Sequence, residues 1–230
     1  MTDVAANYRK IIERIGEAAM KAGRNPDEVK LLGAAKSQSV ERVSAAIAAG
    51  LQIVGENYAQ EAQLKKQDIS AGAEWHMIGH LQRNKAKAAV ELFDMIQTLD
   101  DVALARALDK AGSIRNKRVR ALVEVNLAGE DSKSGVAEDK VEDLLRAAGQ
   151  FAHVSIEGLM AVPPFCENPE DVRPYFRRLR ELRDRLRDAR IANIDLKELS
   201  MGMTHDYPVA VGEGATIVRI GTALFGPRSR

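Results

Sequence analysis

Short apolar runs alternate with longer amphipathic stretches along the chain. Several runs are continuous rather than alternating, which is typical of parallel strands covered on both faces. They predict eight strands, over residues 31–36, 52–55, 75–80, 95–99, 119–126, 156–161, 196–201 and 216–221. Between them apolar positions recur at helical spacing, and Gly or Pro stands at nearly every junction. These stretches predict helices over residues 3–22, 39–49, 57–69, 82–92, 101–114, 137–148, 169–189 and 207–212.

The alternation of strand and helix predicts an α/β fold with a parallel sheet. Eight repeats predict a single (β/α)8 TIM-type barrel with an extra N-terminal helix, a fold that typically needs about 250 residues. The alternative is an open doubly wound sheet, which would carry a glycine fingerprint after its first strand. In this chain Lys36 is followed there by Ser-Gln-Ser. Since no linker interrupts the pattern, we expect residues 1–230 to form one domain.

Composition narrows the class of protein. Hydrophobic residues at 45% and charged residues at 29% are typical of a globular chain rather than a disordered one. A net charge of +1 gives no electrostatic reason to expect nucleic acid or an anionic membrane as a partner. Cys166 is the only cysteine, so we expect neither an intramolecular disulfide nor a metal site. No apolar run approaches the roughly 20 residues of a membrane span, and the N-terminus lacks targeting features, so we expect a cytoplasmic protein.

Lys36 is the sharpest candidate for chemistry. In barrel enzymes the working face is the carboxyl end of the strands, and Lys36 ends the first predicted strand. Partial burial favours the neutral form of a lysine amine, which can form an imine with a carbonyl compound. The alternative is a solvated lysine at a strand end, paired with an acidic neighbour such as Glu56.

Two glycine turns at the same end suggest a phosphate site. The turn Ser200-Met201-Gly202 follows the seventh strand, and Gly221-Thr222 follows the eighth. Hydroxyls and backbone N–H groups in such turns bind oxyanions, and phosphate sites of this fold use these two loops. Arg219 should point to the same side of its strand as Gly221. It is either a donor to a ligand or half of a structural salt bridge with a carboxylate such as Glu157 or Glu198.

Several blocks of this sequence together resemble the pyridoxal phosphate homeostasis protein family, whose members are similar to the barrel domain of bacterial alanine racemase. The most specific are GENY at residues 55–58, IGHLQ at 78–82 and SMGM at 200–203. Further matches are AAK at 34–36, KSG at 133–135, GLMAVPP at 158–164 and VRIGTALFG at 218–226. The resemblance runs in order across almost the whole chain, with a departure at residues 204–206.

The resemblance implies that pyridoxal 5′-phosphate (PLP) is held as an imine on Lys36, with Arg219 facing the pyridine nitrogen. It implies a phosphate cradle from Ser200, Gly202, Gly221 and Thr222, together with the turn residue Met201. It places Asn57 beside the ring, and Met160 and His80 near the mouth. Lys133 is either a second amine that captures the cofactor or a solvated loop lysine.

The resemblance also implies a role in vitamin B6 and amino-acid or keto-acid homeostasis without robust turnover. An arginine at the pyridine nitrogen favours a neutral ring, which is a weak electron sink. Racemases of this type need a second base, a tyrosine from another domain; here we expect no such domain, and only Tyr207 is a conceivable substitute. We therefore expect a monomeric cofactor carrier or buffer, in transient contact with apo-enzymes that use PLP. A weak amino-acid racemase and a lysine-dependent aldolase for phosphorylated sugars remain alternatives.

Overall fold

Strands and helices alternate along the chain in the computed structural model, which describes residues 3–69, 72–129 and 134–227. The strands are β1 Lys30–Ala34, β2 Ile53–Glu56, β3 Glu74–Met77, β4 Met95–Leu99, β5 Val119–Asn126, β6 Val136–Ala137, β7 Val154–Met160, β8 Ile194–Ser200 and β9 Ile217–Ile220. The helices are α1 Val4–Lys21, α2 Val40–Ala48, α3 Ala59–Asp68, α4 Ala86–Leu92, α5 Val102–Ile114, α6 Val141–Ala148, α7 Arg173–Asp188, α8 Tyr207–Gly212 and α9 Thr222–Phe225.

The strands form a closed parallel barrel, which confirms the predicted fold class. Eight strands pair in the ring order β1-β2-β3-β4-β5-β7-β8-β9, and β9 returns to pair with β1. The short strand β6 lies outside this ring and pairs only with β5 among the strands described. Because all pairs are parallel, the carboxyl ends of the strands meet at one mouth of the barrel.

Two apolar clusters fill the molecule because side chains alternate between the faces of each strand. The larger cluster lies between the strands and the surrounding helices, which cover it with buried aliphatic side chains. The smaller cluster fills the barrel interior with Leu32, Ile53, Met95, Leu122, Met160 and Ile217. The polar side chains that share this interior face are therefore enclosed by the ring of strands, and they are the ones that can form the site.

The helices begin where polar side chains cap their first turn. The carboxylate of Asp3 accepts a hydrogen bond from the N–H of Ala6 at the start of α1, and that of Asp101 accepts one from Leu104 at the start of α5. In α7 the residues at helical spacing, Phe176, Leu179, Leu182 and Leu186, are buried, as the pattern predicts for an outer helix with a charged solvent face.

Several boundaries differ from the sequence prediction. β1 ends at Ala34 rather than at residue 36, and β3 ends at Met77 rather than at residue 80. The predicted helices 82–92, 137–148 and 169–189 each begin with a short 3-10 turn before α4, α6 and α7. β6 and α9 were not predicted, because elements of two to four residues carry no measurable period.

In the part of the chain that the structure describes, no helix is both long enough and apolar enough to cross a membrane.

Candidate functional site

Lys36 stands at the mouth of the barrel, just beyond the end of β1. The N–H of Ala35 still bonds to the carbonyl of Gly55 at 2.8 Å, and the chain then turns at Ser37, whose φ is 58°. Lys36 is half-buried, and its Nζ lies 5.1 Å from the centre of the Tyr58 ring. Within the described ranges it forms no ion pair. Its amine is therefore held near an aromatic face, which attracts a cation without neutralising it.

The acidic neighbour expected for Lys36 has another partner. Glu56 is fully buried, and its Oε1 lies 2.5 Å from Nζ of Lys65. Lys65 also donates to the carbonyl of Ala35 at 2.7 Å. Burial raises the pKa of Glu56, although the hydrogen bond and charge of Lys65 oppose this rise. The interpretation of Lys36 as a partner of Glu56 is therefore wrong, and Lys65 occupies that role.

Arg219 projects into the barrel interior beside this mouth. Its Nη1 donates to the carbonyl and the hydroxyl of Ser200, each at 2.7 Å, and its Nη2 donates to the carbonyl of Ala161 at 2.8 Å. A guanidinium has five N–H donors, so Nε–H and one Nη2–H remain without an acceptor among the residues described. Burial lowers the pKa of Arg219 to about 10, and the nearby carboxyl groups of Glu124 and Asp206 oppose this shift.

The salt bridges considered for Arg219 do not form. Glu157 pairs with Arg120 and Lys197, and Glu198 pairs with Lys30. The acceptors that hold Arg219 are the neutral oxygens of Ser200 and Ala161, so no described carboxylate compensates its positive charge by direct contact. Such a buried cation has donors to offer to a ligand at the mouth.

Backbone groups after β8 and β9 form a cradle. Gly202 has a φ of +91°, which favours glycine, and its carbonyl accepts from the N–H of Arg219 at 2.9 Å. The backbone N–H groups of Gly221 and Thr222 donate to none of the described residues. Thr204, in the stretch where the sequence departs from the resemblance, brings its hydroxyl to 3.4 Å from the N–H of Ala223. Two glycines, free N–H groups and hydroxyls therefore meet where an oxyanion could bind.

Two residues predicted for this cradle have other surroundings. The Ser200 hydroxyl is fully buried, accepts from Arg219 and donates to Oε1 of Gln97 at 2.7 Å. Met201 is also fully buried and packs in the outer core between strands and helices. The geometry therefore supports Thr204 rather than Ser200 as the hydroxyl on this side of the cradle, and it leaves Met201 only a backbone contribution.

The remaining predicted residues lie at different depths. Asn57 and His80 line one cavity of about 430 Å³ together with Tyr58, because the backbones after β2 and β3 touch at Gly79. His80 is exposed, with its Nδ1 at 3.5 Å from Oδ2 of Asp100. Met160 lies below them as part of the buried interior cluster. Asn57 and His80 can therefore contact a ligand at the mouth, whereas Met160 can form its floor.

Sequence reasoning missed Glu124, a carboxyl group on β5 that shares the interior face with Leu122. Glu124 is only 8% exposed, and its Oε2 has no hydrogen-bond partner within the described ranges. Burial raises the pKa of Glu124 to about 7; the neighbouring Asp100 adds to the rise and Arg219 opposes it. The signal was present in the sequence, since a lone acidic residue interrupts the apolar run of residues 121–125.

The tyrosine at the mouth is not the one expected. Tyr207 is 1% exposed in α8, and the Arg14 guanidinium lies 5.5 Å from its ring centre, so it faces α1 instead of the mouth. Tyr58, which directly precedes α3, is half-exposed and lies over Lys36. The prediction that Tyr207 could take the place of the racemase tyrosine is therefore wrong. Lys133, the proposed second amine, lies outside the described residues.

Comparisons with known proteins identify the family of the chain and agree with its fold. The family model described as "Alanine racemase, N-terminal domain" matches residues 4–229. The pyridoxal phosphate homeostasis protein of Aquifex aeolicus (strain VF5) is 45% identical over 220 residues, which cover 95% of this chain and 96% of that protein. Its counterpart in Pseudomonas aeruginosa is 40% identical over 229 residues, covering 99% and 97%. Among solved structures, PipY of Synechococcus elongatus PCC7942 with PLP bound superposes with a TM-score of 0.83 at 33% identity, covering 94% of this chain and 100% of that one.

Proposed function

The chain belongs to the pyridoxal phosphate homeostasis protein family, which carries the barrel of the alanine racemase N-terminal domain, and we propose that it binds PLP as an imine on Lys36 and acts as a reversible reservoir for it. The observation that carries this proposal is the amine of Lys36 at the mouth, which forms no ion pair with any described residue. It stands beside β9, whose C-terminal turn supplies the cradle, because Gly33 pairs with Ile220 in the barrel.

The residues present fit the chemical groups of the cofactor. Lys36 offers an amine for the aldehyde, and the cradle at Gly202, Gly221 and Thr222 offers N–H groups for the phosphate. Thr204 is the hydroxyl that the geometry adds to this set. Nε–H and one Nη2–H of Arg219 have no acceptor among the described residues and can donate to a ring nitrogen, which as an acceptor remains unprotonated. Asn57 and His80 flank the mouth, and Met160 supports the floor.

The covalent step is balanced without any further reagent. The neutral Lys36 amine adds to the aldehyde carbon, one water leaves with the aldehyde oxygen, and a C=N bond remains. A second primary amine can add to the same carbon, whereupon the C–N bond to Lys36 breaks, the lysine amine is returned, and the cofactor leaves as an imine of the second amine. The cofactor supplies an electron sink when bound, and the Arg219 contact weakens that sink. Exchange between amines therefore suits this site better than removal of an α-proton.

Reversible handling is also supported by the exposure of the mouth. Half of the Tyr58 surface is open to solvent, and His80 is exposed, whereas efficient catalysis usually needs a site closed to water. We place the protein in the cytoplasm as a monomer that meets apo-enzymes transiently. Weak racemisation remains the alternative. A racemase needs two bases on opposite faces of the substrate carbon. Tyr207 is buried in α8, and Tyr58, the described tyrosine at the mouth, lies over Lys36 and therefore on the same side as that base.

The visible absorbance spectrum with added PLP tests the proposal. We expect an imine band in the parent protein and in Lys30→Ala, which removes a lysine from the opposite end of the same strand. Lys36→Ala should lack the band, and borohydride should fix the label on Lys36 alone. Absence of the band from both proteins would contradict the proposal and favour the aldolase hypothesis. Persistence of the band in Lys36→Ala would contradict the assignment of Lys36 and show that another amine holds the cofactor.

Delivery is tested separately from binding. PLP-loaded protein should restore an apo-enzyme faster than the same concentration of free PLP, and should release one equivalent for each Lys36 site. Transfer that never exceeds the rate with free PLP would reduce the protein to a passive buffer. Exchange of the α-hydrogen of alanine in heavy water would instead reveal a racemase.

A further inference from the structure

A continuous chain of hydrogen bonds crosses the barrel interior below Arg219. Ser200 on β8 donates to Oε1 of Gln97 on β4 at 2.7 Å, which spans the interior between strands that are not neighbours. Nε2 of Gln97 lies 2.9 Å from Nδ1 of His76 on β3. These side chains are at most 1% exposed.

The chain ends at the opposite opening of the barrel. Nε2 of His76 lies 3.1 Å from Oε2 of Glu74, which also accepts from Nη1 of Arg120 at 3.0 Å. Glu74, His76 and Arg120 line a cavity of about 610 Å³ at the amino ends of the strands. The buried chain therefore connects this cavity with the mouth that carries Lys36.

Both ends of the chain fix its direction. Arg219 can only donate, so the Ser200 hydroxyl accepts from it and keeps its own hydrogen for Gln97. Gln97 must then present oxygen to Ser200 and its NH2 group to His76. Nδ1 of His76 must accept, which leaves Nε2–H to donate to Glu74. The carboxylate can only accept, because the hydrogen bond from His76, with Arg120, lowers the pKa of Glu74 to about 2.

Reversal of any one link either places two acceptors face to face or leaves a buried donor without an acceptor. If His76 carried its proton on Nδ1, the Gln97 amide would have to turn, and its NH2 group would meet a serine that already accepts from Arg219. The Ser200 hydrogen would then lose its acceptor in the buried interior, at a cost of about 1 to 3 kcal/mol for an unsatisfied buried group. A single arrangement therefore satisfies every member.

We propose that Gln97 and His76 are positioning residues that hold the Arg219 guanidinium, through Ser200, in the orientation that leaves Nε–H and one Nη2–H free for the cofactor ring. This inference rests on the proposed function for its consequence, although the chain itself is a property of the protein without cofactor. Neither residue touches the mouth, so both act only through Ser200 and Arg219.

The first measurement is the tautomer of His76 in the cofactor-free protein, read from its ring ¹⁵N chemical shifts. We expect a protonated Nε2 and an unprotonated Nδ1. The Nδ1 shift should move in Ser200→Ala, which removes the donor to Gln97 and lets the amide turn. A proton on Nδ1 in the parent would overturn the proposed direction, whatever the protein does with PLP.

The second measurement is the affinity and absorbance maximum of the bound cofactor. Gln97→Met keeps the length of the side chain but removes both polar atoms, and should weaken PLP binding roughly tenfold, as expected when support for a charged donor is lost. It should also shift the absorbance maximum. Gln97→His, which offers one acceptor and one donor, should restore both values. Glu198→Gln, a buried change two residues before Ser200 on β8 but outside the chain, should match the parent.

The outcomes separate the two proposals. Equal affinity and absorbance maximum in Gln97→Met and Glu198→Gln would refute the positioning role while leaving PLP binding intact. If the parent itself forms no imine, the proposed function fails, and the ¹⁵N measurement still decides whether the chain exists. A loss in Gln97→Met that Gln97→His does not restore would show a packing defect and would also refute the role.

Discussion

Replacement of Glu124 by glutamine is expected to make the folded protein more stable at high pH. The folded-state pKa of about 7 lies above the ordinary value of 4.5, because burial and Asp100 disfavour the charged form. The folded protein therefore keeps a proton that the unfolded chain releases, and its stability falls as pH rises from 4.5 to 7. The glutamine side chain does not titrate, so the stability of the variant does not fall for this reason as the pH rises.

The magnitude follows from the shift. One pKa unit corresponds to about 1.4 kcal/mol, so the free energy of unfolding of the variant relative to the parent should rise by about 2 to 3 kcal/mol between about pH 5 and pH 8. The Glu124 side chain is largely enclosed, with Oε2 unpartnered within the described residues, so solvent screening reduces this value little.

Equilibrium unfolding in urea at several pH values is the assay. Titration of the groups that do not interact with Glu124 cancels in the difference between variant and parent, so the trend belongs to Glu124 and to its coupling with Asp100 and Arg219. Glu74→Gln is the control with the opposite sign, because its lowered pKa confines its effect to acid pH. A difference for Glu124→Gln that stays constant from about pH 5 to pH 8 would show that the carboxyl group is paired or hydrated in the folded protein, and would refute the reasoning.

Three further changes test other parts of the site. Gly202→Ala should lower the free energy of unfolding by about 2 to 5 kcal/mol, because the φ of +91° is strained for an L-residue and the new Cβ would lie 2.5 Å from the Cβ of Ala210. The control is Gly16→Ala, where no atom lies within 4 Å of the new Cβ, and it should be neutral or stabilising in the same urea assay. Lys65→Met should cost about 3 to 5 kcal/mol by leaving the Glu56 carboxylate buried alone, and Glu56→Leu combined with it should recover most of that loss; a double variant no more stable than the single one would argue against this account. Glu74→Gln should make the free energy of unfolding less dependent on pH between pH 4.5 and pH 2, because the parent gains stability from this carboxylate above pH 4.5 and loses it as the pH falls towards 2. An unchanged dependence in that range would mean that the hydrogen bonds from His76 and Arg120 do not stabilise the protein.

The sequence predicts the barrel well because each strand is a run of apolar residues and each helix has a buried stripe at helical spacing. All eight barrel strands overlap their predicted ranges, and the residues that gather at the mouth, such as Lys36, Arg219 and Gly221, are those at predicted strand ends. The closed topology brings them to one place without any local signal being needed.

Side-chain partners could not be predicted in the same way. Lys65, rather than Lys36, pairs with Glu56 because α3 folds back over the end of β2. The sequence contains no information on the distance between the Lys65 and Glu56 side chains. The Ser200 hydroxyl points into the barrel interior, where it donates a hydrogen bond to Gln97, a residue 103 positions away in the chain. Tyr58 and Tyr207 both stand beside helix starts, and only the direction in which each helix leaves the barrel decides which ring reaches the mouth.

The pairing of β1 with β9 determines when the site can exist during folding. Lys36 follows the first strand of the ring, whereas Arg219 and the Gly221 turn belong to the last, and these strands meet in register as Lys30 with Ile217 and Gly33 with Ile220. Contacts between such distant parts of the chain form slowly, because the intervening loop must be closed first. During synthesis the amine is made long before the cradle, so a ribosome-bound chain that lacks β9 has only half of the proposed cofactor site. If the proposed function holds, binding of the cofactor requires a completed ring and stabilises that last strand pairing by mass action.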